Sequence, residues 1–143
     1  MNTTALLIQE NELLRILIKL QKKDCDKVAL YCIDDCLPQV WLDEYQICAE
    51  KIKSALRKNQ KVSEDILNSI DKMTVSFYER KVLSYFATYV NNNFKTCVAA
   101  IAANVASVFN SNNVMNSYID YAKSFNKFDI TFISENLVET NYD

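Results

Sequence analysis

The stretch from Cys97 to Phe109, CVAAIAANVASVF, constrains the fold more than any other part of the chain. It contains only apolar or small residues apart from Asn104 and Ser107, and it carries no charge. A helix that is apolar around its whole circumference has to be surrounded by other protein or by lipid. These 13 residues extend about 20 Å as a helix, whereas the hydrocarbon core of a bilayer is about 30 Å thick. We therefore predict a central core helix that other helices surround.

The absence of glycine favours helices over strands. The 143 residues include no glycine and one proline. Tight hairpins usually place glycine in their turns, and phosphate-binding loops need it so that the backbone can approach the ligand. The composition therefore excludes the Rossmann and P-loop classes and predicts an all-α fold. We expect a single domain over residues 1–143, built as a bundle of about seven to eight helices.

Charge and cysteine usage suggest a cytoplasmic protein. The 16 basic and 18 acidic side chains give a net charge of −2, which does not favour nucleic acid or an anionic membrane as a partner of the whole chain. Glu10 and Glu12 interrupt the apolar N-terminal stretch, so we predict no signal peptide. Five cysteines form no paired framework, as expected in a reducing compartment. The C-terminal segment is polar, and we expect no membrane anchor.

Apolar residues at helical spacing predict the other helices. The first has a buried stripe formed by Leu6, Leu13, Leu14, Leu17 and Ile18. A second helix runs from Asp26 to Cys36 and stops at Leu37-Pro38. The remaining predicted helices are Trp41 to Arg57, Ser63 to Lys72 with Ser63 as N-cap, a helix capped by Thr74 or Ser76 that runs to Val90, Val114 to Phe125, and Phe128 to Leu137.

The residues that usually carry catalysis or bind metal are missing or wrongly spaced. The chain has no histidine, which excludes catalytic triads, His–Cys dyads and His-ligated metal sites in their usual forms. Cys25, Cys32, Cys36 and Cys48 could form a four-sulfur zinc site, but their spacing matches none of the usual ligand pairs. Buried thiols that act as small apolar side chains are the better interpretation. We expect no enzyme, no metal and no cofactor.

The charged clusters have ordinary structural interpretations. Neighbouring residues on a helix point about 100° apart, so acidic doublets do not form facing acid–base pairs. Such doublets occur at Asp34-Asp35, Asp43-Glu44 and Glu64-Asp65, where we predict solvated faces and helix caps. The basic side chains of the third predicted helix and the link after it are predicted to be solvated as well; they are Lys51, Lys53, Arg57, Lys58 and Lys61.

Two apolar helices could border a groove beside the central helix. One helix has an aromatic and apolar seam from Tyr45 to Leu56, and the other is rich in aromatic residues from Phe77 to Val90. Asn92 and Lys95 form a polar corner next to the central helix. An apolar groove with one cation at its end accepts an amphipathic partner helix that carries a carboxylate. Alternatively, the seams simply close on one another as core.

Three segments of the sequence resemble motifs of the Bcl-2 family. The segment VLSYFATYVNNNFKTCVAAIAA, residues 82–103, resembles the family's fourth and fifth helices, which contain the BH1 signature Asn-Trp-Gly-Arg. Asn92 falls on the signature Asn and Lys95 on its Arg. The segment DEYQICAEKIKSAL, residues 43–56, resembles the BH3-derived second helix, and FISEN, residues 132–136, resembles the start of BH2. The three motifs occur in the family's order and cover about a third of the chain.

The departures from the family pattern narrow the resemblance. Asn93 and Phe94 replace the BH1 Trp-Gly, Lys95 replaces its Arg, and the BH2-like segment lacks Gly-Gly-Trp. A short, glycine-free and divergent domain of this kind is most similar to the Bcl-2 homologues of large DNA viruses. The resemblance implies an apoptosis inhibitor that sequesters BH3 helices of host pro-apoptotic proteins. Because a lysine offers one compact charge rather than a bidentate fork, we expect a restricted set of BH3 partners.

The same resemblance implies a set of groove residues. Lys95 would receive the ligand's Asp, and Asn92 would form a hydrogen bond nearby. The apolar lining would consist of Tyr45, Cys48, Ala49, Ile52, Leu56, Val82, Tyr85, Phe86, Tyr89 and Val98. An exposed aromatic groove of this kind could also be covered by homodimer formation.

A second class of function stays open. The chain could be a helical protein-interaction module that does not bind BH3 motifs, such as a Bcl-2-like modulator of innate signalling or a bacterial immunity-type protein. Such a module would be insensitive to changes at Lys95 and sensitive to changes on its outer helical faces.

Overall fold

The computed structural model describes residues 3–37 and 43–125, and the predicted all-α fold is confirmed there. The described residues form seven helices and no strand. The helices are α1 (Thr3–Ile18), α2 (Lys22–Cys36), α3 (Asp43–Arg57), α4 (Glu64–Asp71), α5 (Phe77–Asn92), α6 (Lys95–Phe109) and α7 (112–125). The predicted helix 128–137, the BH2-like segment 132–136 and the first two residues of the predicted helix 41–57 lie outside the described residues.

Helix α6 is the central helix that the sequence predicts. It packs against α5, α1 and α2. Nine of its 15 residues are buried, and five of these nine are alanines. Because these side chains are small, the neighbouring helices can approach α6 closely on every side.

Asparagine takes the place of glycine at three helix ends. Asn59, Asn93 and Asn110 are the described residues with positive φ, at 53°, 58° and 53°. Asparagine visits this left-handed conformation at lower cost than other residues with a β-carbon. The N–H of Asn93 donates to the Tyr89 carbonyl at 2.7 Å, which ends α5 and turns the chain into α6. A chain without glycine can therefore still make tight helical corners.

Helices α3, α4 and α5 pack against one another as a second layer. Ser63 and Ser76 cap α4 and α5, since their hydroxyl oxygens accept from the N–H groups of Ile66 at 3.4 Å and Glu79 at 3.2 Å. The predicted cap of α4 and the Ser76 alternative for α5 are thus confirmed. The Val62 N–H donates to the Asn91 side-chain oxygen at 2.7 Å and ties the α3–α4 link to the end of α5.

Two sequence predictions about burial are wrong. Ile18 was placed in the buried stripe of α1, but it is 60% exposed, and Ile16 is buried in its place. Leu13, Ile16, Leu17 and Leu20 keep the three- and four-residue spacing of one helical face, whereas Ile18 is turned about 100° from Leu17.

Lys53 was predicted to be solvated with the other basic residues of α3, but it is 7% exposed. Its ammonium group contacts the carboxylates of Asp34 and Glu50. Asp34 lies on α2, so the reason is tertiary: α3 packs with this lysine turned toward the last turns of α2. A charge this buried requires such partners.

Candidate functional site

The predicted groove residues lie mostly inside the protein. Leu56, Tyr85 and Lys95 are partly buried, and Asn92 is exposed. The other eight are buried: Tyr45, Cys48, Ala49, Ile52, Val82, Phe86, Tyr89 and Val98. In this structure the seams of α3 and α5 therefore close on one another as core, which is the alternative that the sequence left open.

Tyr45 and Tyr89 illustrate how these positions are used. Tyr45 is fully buried beside Cys36 of α2, and burial raises the pKa of its hydroxyl. The Tyr89 hydroxyl donates to the Asp26 carboxylate at 2.5 Å, and burial together with this bond raises its pKa. Both rings thus fill space between α2 and its neighbours.

The polar corner at Lys95 ties two helices together. The Lys95 ammonium donates to the carbonyls of Ile18 at 3.2 Å and Leu20 at 2.5 Å, at the C-terminal end of α1. The Asn92 side-chain amide donates to the Thr88 carbonyl at 3.4 Å, one turn back on α5. In this structure the ammonium therefore contacts the C-terminal end of α1 and the link that follows it.

An open cleft of about 370 Å³ lies between α3 and α4. Its volume falls within the range of about 300–1,000 Å³ that is typical of small-ligand and anchor pockets. Ile47, Cys48, Ile66 and Met73 provide the apolar part of its lining. Ile47 is 56% exposed, so this apolar surface is accessible from solvent.

Charged and polar side chains border the cleft. They are Glu44, Lys51, Ser69 and Lys72, all of which are exposed. Two ammonium groups against one carboxylate give the rim a positive balance. The cleft therefore suits an apolar side chain whose neighbours are carboxylates, since the floor is apolar and the rim attracts negative charge.

Sequence reasoning did not identify this cleft. On α3 it uses Glu44, Ile47, Cys48 and Lys51, a face with helical spacing that overlaps the core seam only at Cys48. The signal in the sequence is Ile47, an apolar residue outside that seam. The α4 side of the cleft has no such signal, because the angle between two packed helices cannot be inferred from either helix alone.

The thiols are buried, as predicted. All five cysteines are unpaired and buried. Burial is the largest effect on each and raises the pKa of every thiol, to about 11 for Cys36. Among residues 3–37 and 43–125, no group of three or more histidine, cysteine or acidic side chains is arranged to hold a metal ion. Across the same ranges, no helix has the length and apolar character needed to cross a membrane.

Comparison with known protein families, curated proteins and solved structures gives no match for this chain.

Proposed function

We propose that this chain is a non-catalytic protein-interaction module that binds an amphipathic helix bearing carboxylates. The observation that carries the proposal is the α3–α4 cleft, where an apolar floor lies beneath Lys51 and Lys72. A volume of about 370 Å³ accommodates one or two apolar anchors of such a helix. The carboxylates next to these anchors would pair with the two ammonium groups.

The resemblance to the Bcl-2 family suggests which helix this is. A BH3 segment is an amphipathic helix with apolar anchors and an Asp, the chemistry that the cleft fits. On this proposal the protein acts in the host cytosol as a viral inhibitor of apoptosis that sequesters a restricted set of BH3 helices. The cleft would supply the contact that was expected from the seam between α3 and α5.

The cost of opening that seam supports this choice of site. Ile52 and Phe86 are fully buried, and burial of one such side chain contributes about 1.5–3 kcal/mol. A helix that entered between α3 and α5 would have to expose several of them before it could replace their contacts. The α3–α4 cleft is open and requires no such rearrangement.

Calorimetry with a panel of BH3 peptides tests the proposal. We expect binding to some peptides, and we expect Lys51→Glu/Lys72→Glu to weaken it about ten-fold or more because each change replaces attraction with repulsion. Lys19→Glu/Lys23→Glu, around the link between α1 and α2, is the matched control, since it reverses two exposed charges outside the cleft that form no ion pair within the described residues. Binding that the double variant leaves unchanged would contradict the cleft assignment.

Lys95→Glu distinguishes the cleft from the groove. If the ligand binds the cleft, a folded Lys95→Glu protein keeps its affinity. If the ligand's Asp pairs with Lys95, that variant loses binding while the cleft variant keeps it. Circular dichroism on each variant shows whether a loss of binding reflects unfolding.

The second candidate is an interaction module that does not bind BH3 motifs, of the innate-signalling or immunity-protein type. Two exposed aromatic residues on an outer face favour it: Phe77 is 64% and Tyr78 43% exposed, and their rings contact each other. Exposed aromatic pairs are frequent at protein interfaces. No BH3 binding by the folded protein, together with binding to a purified signalling adaptor that Phe77→Ser/Tyr78→Ser removes, would establish this candidate instead.

A further inference from the structure

Three links between helices meet at one end of the bundle. They join α1 to α2, α3 to α4, and α5 to α6. The Lys95 ammonium bonds to the carbonyls of Ile18 and Leu20, and the Val62 N–H bonds to the side chain of Asn91. These bonds place the three links side by side. We refer to residues 18–23, 58–62 and 93–95 as the basic end.

The basic end is strongly positive in a chain that is negative overall. Its 14 residues include six lysines and no acidic residue: Lys19, Lys22, Lys23, Lys58, Lys61 and Lys95. The other 129 residues carry ten basic and 18 acidic side chains. The net charge of −2 is therefore the sum of a positive basic end and a negative remainder of the chain.

Four of these lysines face solvent and are free of ion pairs. Lys22 pairs with Asp26 at 3.0 Å, and Lys95 bonds within the protein. In the part of the chain that the structure describes, no ion pair involves the other four, which are exposed: Lys19, Lys23, Lys58 and Lys61. The nearest acidic residues in sequence are Asp24, in the first turn of α2, and Glu64, in that of α4.

Two apolar side chains project from the same end. Phe94 is 58% exposed and directly precedes Lys95, and Ile18 is 60% exposed at the end of α1. The Lys95–Ile18 hydrogen bond shows that these two segments are in contact. Aromatic and aliphatic side chains surrounded by lysines are typical of protein surfaces that enter the headgroup layer of a membrane.

We propose that the basic end docks peripherally on an anionic lipid surface. Phe94 and Ile18 enter the headgroup layer, and the four exposed lysines approach the lipid phosphates and carboxylates. Lipid fits this surface better than nucleic acid, because single-stranded nucleic acid needs a series of aromatic side chains on which successive bases stack. Phe94 is the one aromatic residue of the basic end.

The proposed orientation leaves the α3–α4 cleft accessible. The cleft residues of α3 run from Glu44 to Lys51, in the half of α3 that is farther from the basic end. A bundle that stands on its basic end therefore keeps the α3 side of the cleft away from the lipid. Membrane docking and partner binding use different residues, so each can fail without the other.

Vesicle flotation with the full chain tests the proposal. We expect binding to vesicles of phosphatidylcholine with phosphatidylserine, weaker binding at high salt, and little binding to phosphatidylcholine alone. Lys19→Gln/Lys23→Gln/Lys58→Gln/Lys61→Gln should reduce the partition coefficient about five-fold per lysine. Phe94→Ser should reduce it several-fold without a change in charge.

The matched control replaces four exposed or partly buried lysines elsewhere, in Lys51→Gln/Lys72→Gln/Lys81→Gln/Lys123→Gln. If the control loses as much binding as the test variant, the attraction belongs to total charge and the proposal is overturned. Failure of the wild-type protein to bind anionic vesicles overturns it as well. Binding to single-stranded RNA without binding to vesicles would reassign the basic end to nucleic acid.

Discussion

Lys95 shows how one side chain can serve two helices. It is the first residue of α6, where a positive charge is unfavourable to that helix's dipole. Its ammonium, however, reaches the carbonyls of Ile18, the last residue of α1, and of Leu20 just beyond it, at the negative end of another helix dipole. A lysine is therefore acceptable at the start of α6, because its charge interacts favourably with the end of α1.

We expect Lys95→Met to lower the free energy of unfolding by about 1–2 kcal/mol, because two helix-end carbonyls lose a charged donor. The midpoint of urea unfolding, monitored by circular dichroism, measures the change. Lys72→Met is the control, since that ammonium is exposed and forms no ion pair within the described residues. Equal midpoints for the two variants would show that the contact contributes nothing to stability.

At the residue scale, the sequence predicts which side chains matter better than it predicts their partners. Lys95 was identified from the sequence, but its partner Leu20 is 75 positions away. Lys53 was misjudged for the same reason, because its partner Asp34 lies on another helix. Local spacing shows the face of a helix on which a charge lies. It does not show which neighbour packs there.

Among the elements, α6 depends on the small size of its side chains. Ala102 is fully buried, and the helix is in contact with α5, α1 and α2. A larger side chain at this position has no empty space to occupy, because packed interiors have close to crystalline density.

We expect Ala102→Leu to destabilise the fold by about 1–3 kcal/mol through overpacking. Thermal unfolding measured for this variant and for Thr96→Leu provides the comparison. Thr96 is exposed in the first turn of the same helix, so leucine there adds the same type of side chain without steric conflict. A melting temperature of Ala102→Leu equal to that of wild type would contradict tight packing around α6.

Helix ends were the most predictable part of the elements. Ser63 and Ser76 were identified as caps because a cap is local, with donor and acceptor three residues apart. The α3–α4 cleft was missed because its shape depends on how two helices cross. The sequence predicts Ile52 and Phe86 as the apolar lining of a groove, and the structure buries both in the core. Sequence alone could not separate these outcomes, because an open groove and a closed seam between helices have the same pattern of apolar residues.

Over the whole molecule, buried hydroxyl and thiol groups join α2 to its neighbours. The Tyr118 hydroxyl of α7 donates to Asp35 at 2.5 Å, and the Tyr89 hydroxyl of α5 donates to Asp26 at 2.5 Å. Burial is the largest effect on both tyrosines and raises their pKa above the ordinary 10.0. Burial also raises the pKa of Cys36 from 9.0 to about 11.

These shifts predict a loss of stability at alkaline pH. A raised pKa means that the unfolded chain releases its proton first, so the contribution of Cys36 is complete below about pH 9 and is lost as pH rises to about 11. The tyrosines extend the loss above about pH 10. Urea midpoints should stay level from about pH 8 to about pH 9 and fall from there to about pH 11. The fall should be shallower at its start in Cys36→Ala, and a flat profile would contradict the buried ionisable groups.

The overall architecture was predictable as far as it depends on composition and on the spacing of apolar residues along the sequence. The lack of glycine indicates helices, and the uncharged segment 97–109 indicates the core helix. The closure of α3 on α5 was not predictable, because it depends on the balance of contacts among three helices. The charge separation at the basic end was also missed, since its lysines come from three distant parts of the sequence.

The five buried thiols can be used to measure the opening motions of the helices that carry them. Three lie on α2, one on α3 and one on α6. The three on α2 are fully buried and react with an added alkylating reagent only when that helix separates from its neighbours, whereas Cys48 is 5% exposed at the α3–α4 cleft. Mass spectrometry of the labelled peptides therefore yields a labelling rate for each of these three helices, with no probe introduced. Cys48 lies at the α3–α4 cleft, and a ligand bound there shields it while Cys32, deep on α2, keeps its rate.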